Sequence, residues 1–340
     1  MSGPGLVALL QRQARMCADH GSPLYADLLE RCAHDASSGG RVAALLEPWE
    51  SATVGDAVPL RLMGGVHALV LQRRATQLAI YYPSVGGHGS EPRARWSAFL
   101  SVLRSHGEEL LPWLHRHPQT NEPGRAAALL GALRLAAVAG GALPVRLFEI
   151  GSSAGLNLRV DKLPIGPGLA IDTPLPAGPD PQVVLREGAD LHPVDPTSPE
   201  GRLRLTAYVW ADDLPRFERL RVALDIARDT PAHLVRLEAG QFLPRVEVEP
   251  GALTVVWQSV MWQYVPELQR RAIEHELARL HDAAAAQAPF AHVALEPETQ
   301  PLRAGSSRFE VRLRLSPHGV DDLVGTTPPH GVPVEWVASR

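Results

Sequence analysis

The sequence predicts an α/β protein: a doubly wound sheet with an antiparallel edge, preceded by an N-terminal helical domain. Three observations predict it. Residues 6 to 140 carry apolar side chains at spacings of three and four, the period of amphipathic helices. From residue 145 onward strand-like apolar runs alternate with helical ones, a pattern that packs as a parallel sheet covered by helices. Near the C-terminus RFEVRLRLS and GVPVEWV alternate apolar and polar residues, as an antiparallel pair does. The expected division is a helical lid or substrate domain over 1–140 and a sheet domain over 141–340.

The helical part begins with LVALLQRQARMCADH, LYADLLERCAHDA and RVAALLEPW, punctuated by Gly39-Gly40 and the Pro48 region. VPLRLMGGVHALVLQRRATQLAIYY follows, then the loop YYPSVGGHGSEPRAR and the amphipathic RWSAFLSVLRSHGEELLPWLHRH. In TNEPGRAAALLGAL, Thr120 or Asn121 is a suitable N-cap and Pro123 suits a first turn. Arg125, one turn in, opposes the helix dipole. An anionic partner, Glu122 or a ligand carboxylate, accounts for it; a solvated arginine is the alternative. The run from Ala126 to Val145 approaches membrane-spanning length but holds Arg134 at its middle, which costs about 2.5 to 3.5 kcal/mol on insertion. It reads as a buried helix.

The chain is organised around residues 145–158, VRLFEIGSSAGLNL. A strand of Val145, Leu147, Phe148 and Ile150 carries Glu149 at its end and breaks at Gly151 to Gly155. Strand, glycine-bounded turn and helix start point backbone N–H groups at a ligand. The spacing lacks G-x-G-x-x-G: Ser153 stands where a dinucleotide site needs its second glycine, so NAD or FAD is not expected. Acid-x-Gly-x-x-x-Gly instead resembles the first motif of class I S-adenosylmethionine-dependent methyltransferases. That resemblance gives the loop to Glu149, Gly151 and Gly155, with Ser152, Ser153 and Asn157 beside the cofactor. Gly151-Ser152-Ser153-Ala154-Gly155 also fits the G-x-S-x-G nucleophile elbow, with Asp321 or Asp322 and then His330 later in the chain. An ordinary tight turn whose serines cap a helix is the third reading.

Residues 163–200 are rich in proline and glycine and read as an insertion, with a short strand candidate VVLREGADL. LTAYVWADD reads as the next strand. Its Asp212, or Asp213, would be the acid that accepts ribose hydroxyls at a second strand end, or else an N-cap of the following helix. AHLVRLEAGQFL, with Glu238 near its end, and ALTVVWQSVMWQYVP read as the third and fourth strands, and AHVALEPE as the fifth. The amphipathic VPELQRRAIEHELARLHDAAAA lies between the last two. Beyond the fourth strand Gln258, Ser259, Trp262, Gln263 and Tyr264 cluster where open sheets bind ligands. Gln258 or Tyr264 would orient a nucleophile, and Trp262 would offer an apolar wall or a π face to a sulfonium. Aromatic packing under the next helix is the alternative.

Composition sets the exclusions. A net charge of −4 and 45% hydrophobic residues give no reason to expect nucleic acid or a membrane as partner. Two cysteines, Cys17 and Cys32, build neither a disulfide framework nor a four-thiolate zinc site. The pairs His115/His117 and His275/His281 lack metal-ligand spacing, so no metal is expected. Lys162 is the only lysine and follows no phosphate-loop pattern, which argues against P-loop and Schiff-base chemistry. The start of the chain shows no basic and apolar leader, and a cytoplasmic location is expected.

TNEPGRAAALL, FEIGSSAGLNL, GADLHPVDP, AYVWADDLPRFERLRVAL and PPHGVPVEW together resemble an uncharacterised bacterial family, DUF2332, over nearly the whole chain. The resemblance implies a Rossmann-like sheet similar to class I methyltransferases and a preceding helical region. It carries over no catalytic residue. The function expected is methyl transfer from S-adenosylmethionine to a small molecule, with secondary metabolism as its setting. Glu149, Gly151, Ser152, Ser153, Gly155, Asn157 and Asp212 would hold the cofactor. Gln258 and Tyr264 would act on the substrate, which Asn121, Glu122, Arg125 and Trp262 would bind. A serine hydrolase using Ser153, Asp322 and His330, or a fold repurposed for elimination, cyclisation or partner binding, are the alternatives.

Overall fold

A computed structural model describes residues 5–298 and 308–337. The chain forms two compact units, one of residues 1–120 and 199–218, the other of 121–198 and 219–340. The sequence boundary at 140/141 therefore differs in two places. The helix after Arg125 belongs with the sheet, and residues 199–218 return to the helical unit.

The helical unit contains α1 (Leu6–Asp19), α2 (Pro23–Ser37), α3 (Arg41–Leu46), α4 (Val58–Leu71), α5 (Thr76–Ala79), α6 (Pro92–Ser105) and α7 (Gly107–His115). Helix α4 is buried on nearly every side, as its all-round apolar sequence requires. By length and composition the stretch Val54–Leu71 would cross a membrane, but 67% of it is buried in the protein. Its Gly64 lets the Tyr208 ring approach: a Cβ there would stand 2.6 Å from Tyr208 Cε1. Cys17 and Cys32 are free, buried thiols, and burial pushes Cys17 up to about 11.

The run LTAYVW is not a strand. Leu205–Ala207 end a helix, Pro199–Ala207, and Asp212 lies in the turn that follows. Asp212 Oδ1 accepts from Ser22 Oγ at 2.5 Å and its Oδ2 from Leu24 N at 2.9 Å, so it ties down the start of α2 within the helical unit. Six apolar residues are too few for periodicity to separate a buried strand from a helix end.

In the second unit, α8 (Ala126–Gly140) precedes a sheet of β1 (Val145–Ile150), β2 (Val183–Asp190), β3 (His233–Arg236), β4 (Leu253–Ser259), β5 (Phe290–Pro297), β6 (Phe309–Ser316), β7 (Val320–Thr327) and β8 (Glu335–Trp336). The strand order is β3-β2-β1-β4-β5-β6-β7-β8. Strands β1 to β5 run parallel and β6 to β8 antiparallel. Phe148, Ile150, Val256 and Phe290 bury against Ile273 and Leu277 of the amphipathic helix Glu267–Ala283, while α8 packs on β5, β6 and β7. The segment read as a minor strand in an insertion is thus β2, hydrogen-bonded along the whole of β1. RFEVRLRLS pairs with β5 and β7 rather than with GVPVEWV; β7, VDDLVGTT, carries too many acids to stand out as a strand. Glu238 caps a short helix beyond β3.

Candidate functional site

From β1 the chain steps outward to β2 and β3, then returns to β4 on the other side of β1. Open parallel sheets bind ligands at such a reversal, beyond the carboxyl ends of the strands. The bend Gly151–Gly155 stands there. Its left-handed residues alternate: Gly151 at φ +69°, Ser153 at +50° and Gly155 at +62°. Instead of an α-helix, one 3-10 turn follows, Leu156–Arg159.

The bend is fixed by its own hydrogen bonds. Gly151 N and Ser152 N donate to Ala189 O, Gly155 N to Ser152 O, and Ser153 N to Asp190 Oδ2 at 2.9 Å. Asn121 does not cap the helix after it; its Oδ1 accepts from Leu156 N at 2.7 Å, so it caps the turn beyond the bend. Glu122 takes the capping role, accepting from Gly124 N at 3.1 Å. It lies 3.6 Å from Arg219 Nε and 3.9 Å from His330 Nδ1. Arg125 Nε donates to the Pro329 carbonyl at 3.3 Å. Met261 lies over Gly151, 3.0 Å from where a Cβ would be, and Leu234 covers Gly155. Asn121, Glu122, Ser152, Ser153 and Asn157 are all buried.

Beneath the bend, Glu149 is 1% exposed. Burial pushes its carboxyl up to about 8, against the opposing pull of Asn157 and Arg159. Asn157 Nδ2 reaches Glu149 Oε1 at 3.5 Å, while Arg159 is turned to the Gly155 carbonyl at 2.6 Å and the Thr230 carbonyl at 2.8 Å. Among the described residues, Glu149 Oε2, Ser152 Oγ and Asn157 Oδ1 are buried with no hydrogen-bond partner, and the Trp257 indole on the neighbouring β4 also pulls the Glu149 carboxyl down. Unpaired buried polar atoms are uncommon, and their gathering at and beneath the bend makes it the candidate site.

The family model described as "Uncharacterized protein conserved in bacteria (DUF2332)" matches residues 7–336. The chain belongs to DUF2332. No curated protein matches it.

In this DUF2332 protein the acid at the second strand end is Asp190, not Asp212, which serves the helical unit. Asp190 Oδ1 accepts from His192 N at 2.7 Å and Oδ2 from Ser153 N, leaving each oxygen a further lone pair. The signal for it was GADL, an acid closing an apolar run beside the first strand.

Beyond β4 the structure separates the expected cluster. Gln258 and Trp262 line a cavity, whereas Tyr264 is 71% exposed. The Trp262 ring already carries the Arg270 guanidinium 5.9 Å from its centroid. The organising residue is one that sequence reasoning passed over, Glu296 at the end of β5. Its Oε1 accepts from Gln258 Nε2, Met261 N and Trp262 N, each at 3.2 Å. Gln258 Oε1 in turn faces His292 Nε2 at 3.3 Å. Asp321 pairs with Arg314 at 3.9 Å and Asp322 is exposed on β7; the carboxylate found beside His330 is that of Glu122. Among the described residues no group of three His, Cys, Asp or Glu side chains is placed to hold a metal ion.

Proposed function

We propose that the sheet unit is Rossmann-like and binds S-adenosylmethionine at the bend, for methyl transfer to a small molecule in the cytoplasm. What supports the reading is the pair of carboxylates at the ends of β1 and β2, Glu149 and Asp190, either side of a left-handed bend at the strand reversal. The spare lone pairs of Asp190 suit two ribose hydroxyls. Glu149, Ser152 and Asn157 supply polar atoms that lack partners. The N–H groups of Gly151, Ser152, Ser153 and Gly155 are spent within the chain, which suits a cofactor whose near end carries no phosphate. A ligand at Gly151 would lie against the Met261 side chain, whose outer atoms turn on its rotatable bonds. Bound there, the cofactor would supply an activated methyl group. The protein's part is alignment and exclusion of water, with Gln258 and Trp262 on the acceptor side.

Calorimetry of the intact chain with S-adenosylmethionine and S-adenosylhomocysteine tests this. Saturable heat is expected with both, weakened about ten-fold or more by Asp190→Asn, the loss of charged hydrogen bonds to the ribose. No heat at millimolar ligand sinks the reading. The left-handed φ of Ser153 favours a second one, the strained serine of a nucleophile elbow. Covalent labelling of Ser153 by a fluorophosphonate would replace methyl transfer with hydrolysis.

A further inference from the structure

A cavity of about 410 Å³ lies between the helix Glu267–Ala283 and strands β4, β5 and β6, a size in the range that holds small ligands. One wall is apolar, with Trp262, Leu277 and Ala294. The charges around it are unevenly matched. Arg312 is bonded to Glu310 at 2.8 Å, and Arg314 faces Asp321 at 3.9 Å; both arginines are at least half exposed. His281 and His292 are pushed down to about 4 by burial and are neutral near pH 7.

Glu296 stands apart from these. Its Oε1 is held by three donors, which fixes the carboxylate in place. Among the described residues its Oε2 is buried without a hydrogen-bond partner. Burial raises its pKa, and Arg125, the weakest of the groups acting on it, is engaged with the Pro329 carbonyl. Glu274 adds a second carboxylate to the lining. A fixed, under-paired carboxylate in the lining of a cavity that also holds apolar side chains recognises a positive charge on an apolar body. In the lining three carboxylates, Glu274, Glu296 and Glu310, stand against two arginines, Arg312 and Arg314.

We infer that this cavity binds a small organic amine, its ammonium on the Glu296 carboxylate and its apolar body against Trp262, Leu277 and Ala294. Such an amine is the class of methyl acceptor for the activity above. That role rests on the methyl-transfer reading, whereas the binding itself needs no cofactor.

The test titrates the full chain, without cofactor, with 2-phenylethylamine, tyramine and agmatine, following binding by calorimetry. The carboxylate 3-phenylpropanoate and the neutral 2-phenylethanol serve as shape controls. At least one amine should bind with saturable heat while both controls bind ten-fold or more weakly, about 1.4 kcal/mol. Glu296→Gln should weaken the amine about ten-fold with its circular dichroism unchanged. Ala278→Trp, at an exposed position of the lining, fills the cavity and leaves the charge in place; it should abolish binding and keeps the test decisive if the first variant does not fold. Equal binding of amine and alcohol, preference for the carboxylate, unchanged binding by Ala278→Trp, or no binding of any amine at roughly 10 mM would each overturn the inference. A positive amine titration beside a failed cofactor titration would leave the cavity assigned and remove only the methyl-transfer reading.

Discussion

Replacing Glu149 by glutamine should make the protein more stable at alkaline pH, and the structure sets the size of the gain. Burial raises the Glu149 carboxyl from 4.5 to about 8 in the folded chain. For an acid raised in this way, stability is fully present below the unfolded value of 4.5. It is lost as pH rises from there through about 8, because ionisation favours the unfolded chain. At about 1.36 kcal/mol per pH unit, the loss approaches about 5 kcal/mol above pH 8 and about 3 kcal/mol at pH 7. Glutamine keeps the shape of the protonated acid, and Asn157 Oδ1, buried without a partner, is at hand to accept from the new amide. Urea unfolding of parent and Glu149→Gln at about pH 5 and about pH 8.5 isolates the effect, since every other titrating group is common to both. The two should agree within about 1 kcal/mol at the acid end, and the variant should be several kcal/mol the more stable at the alkaline end. A difference that does not change with pH would refute the reasoning. Buried acids with strongly raised pKa values cluster at functional sites, which is why Glu149 is a candidate.

Two substitutions test the remaining assignments. Asp212→Ala removes both acceptors that hold the start of α2; it should cost about 1–3 kcal/mol in thermal unfolding and leave calorimetric binding of S-adenosylhomocysteine unchanged. A loss of ligand binding with unaltered stability would return Asp212 to the cofactor. Gly188→Ala would set a methyl 2.7 Å from Ser152 Cβ and 3.1 Å from Leu234 Cδ2. Neither strand nor bend has room to yield, so a cost of about 1–3 kcal/mol is expected from denaturant midpoints, and a change below about 0.5 kcal/mol would show the bend to be loosely held.

The long amphipathic segments are legible because their period repeats. The helix Glu267–Ala283 places Ile273, Leu277 and Leu280 on one buried face, and that spacing alone announces it. Strands β1, β4 and β5 are mostly apolar and largely buried, as strands inside a parallel sheet covered on both faces are. Short elements mislead because their context decides them. VVLREGADL looks like part of an irregular insertion, and only its parallel pairing with β1 makes it the second strand. LTAYVW has the composition of a strand but completes a helix and packs Tyr208 against Gly64. Within the candidate site, FEIGSSAGLNL drew attention to Glu149 and the bend from residue types alone. Asp190 and Glu296 were passed over because an acid at a strand end looks the same in sequence whether it meets solvent or a backbone N–H.

By itself the sequence determined that this is an α/β chain, that a glycine-bounded bend follows its first strand, and that an acid stands at the end of that strand. Those features depend on neighbours along the chain: period, φ preference and side-chain size. The tertiary structure alone decided that the second strand end carries Asp190, that Asn121 caps the turn beyond the bend, and that Glu296 gathers Gln258, Met261 and Trp262. Each of those contacts spans more than thirty residues. No local rule reaches so far; burial and the demand that buried polar groups be paired do.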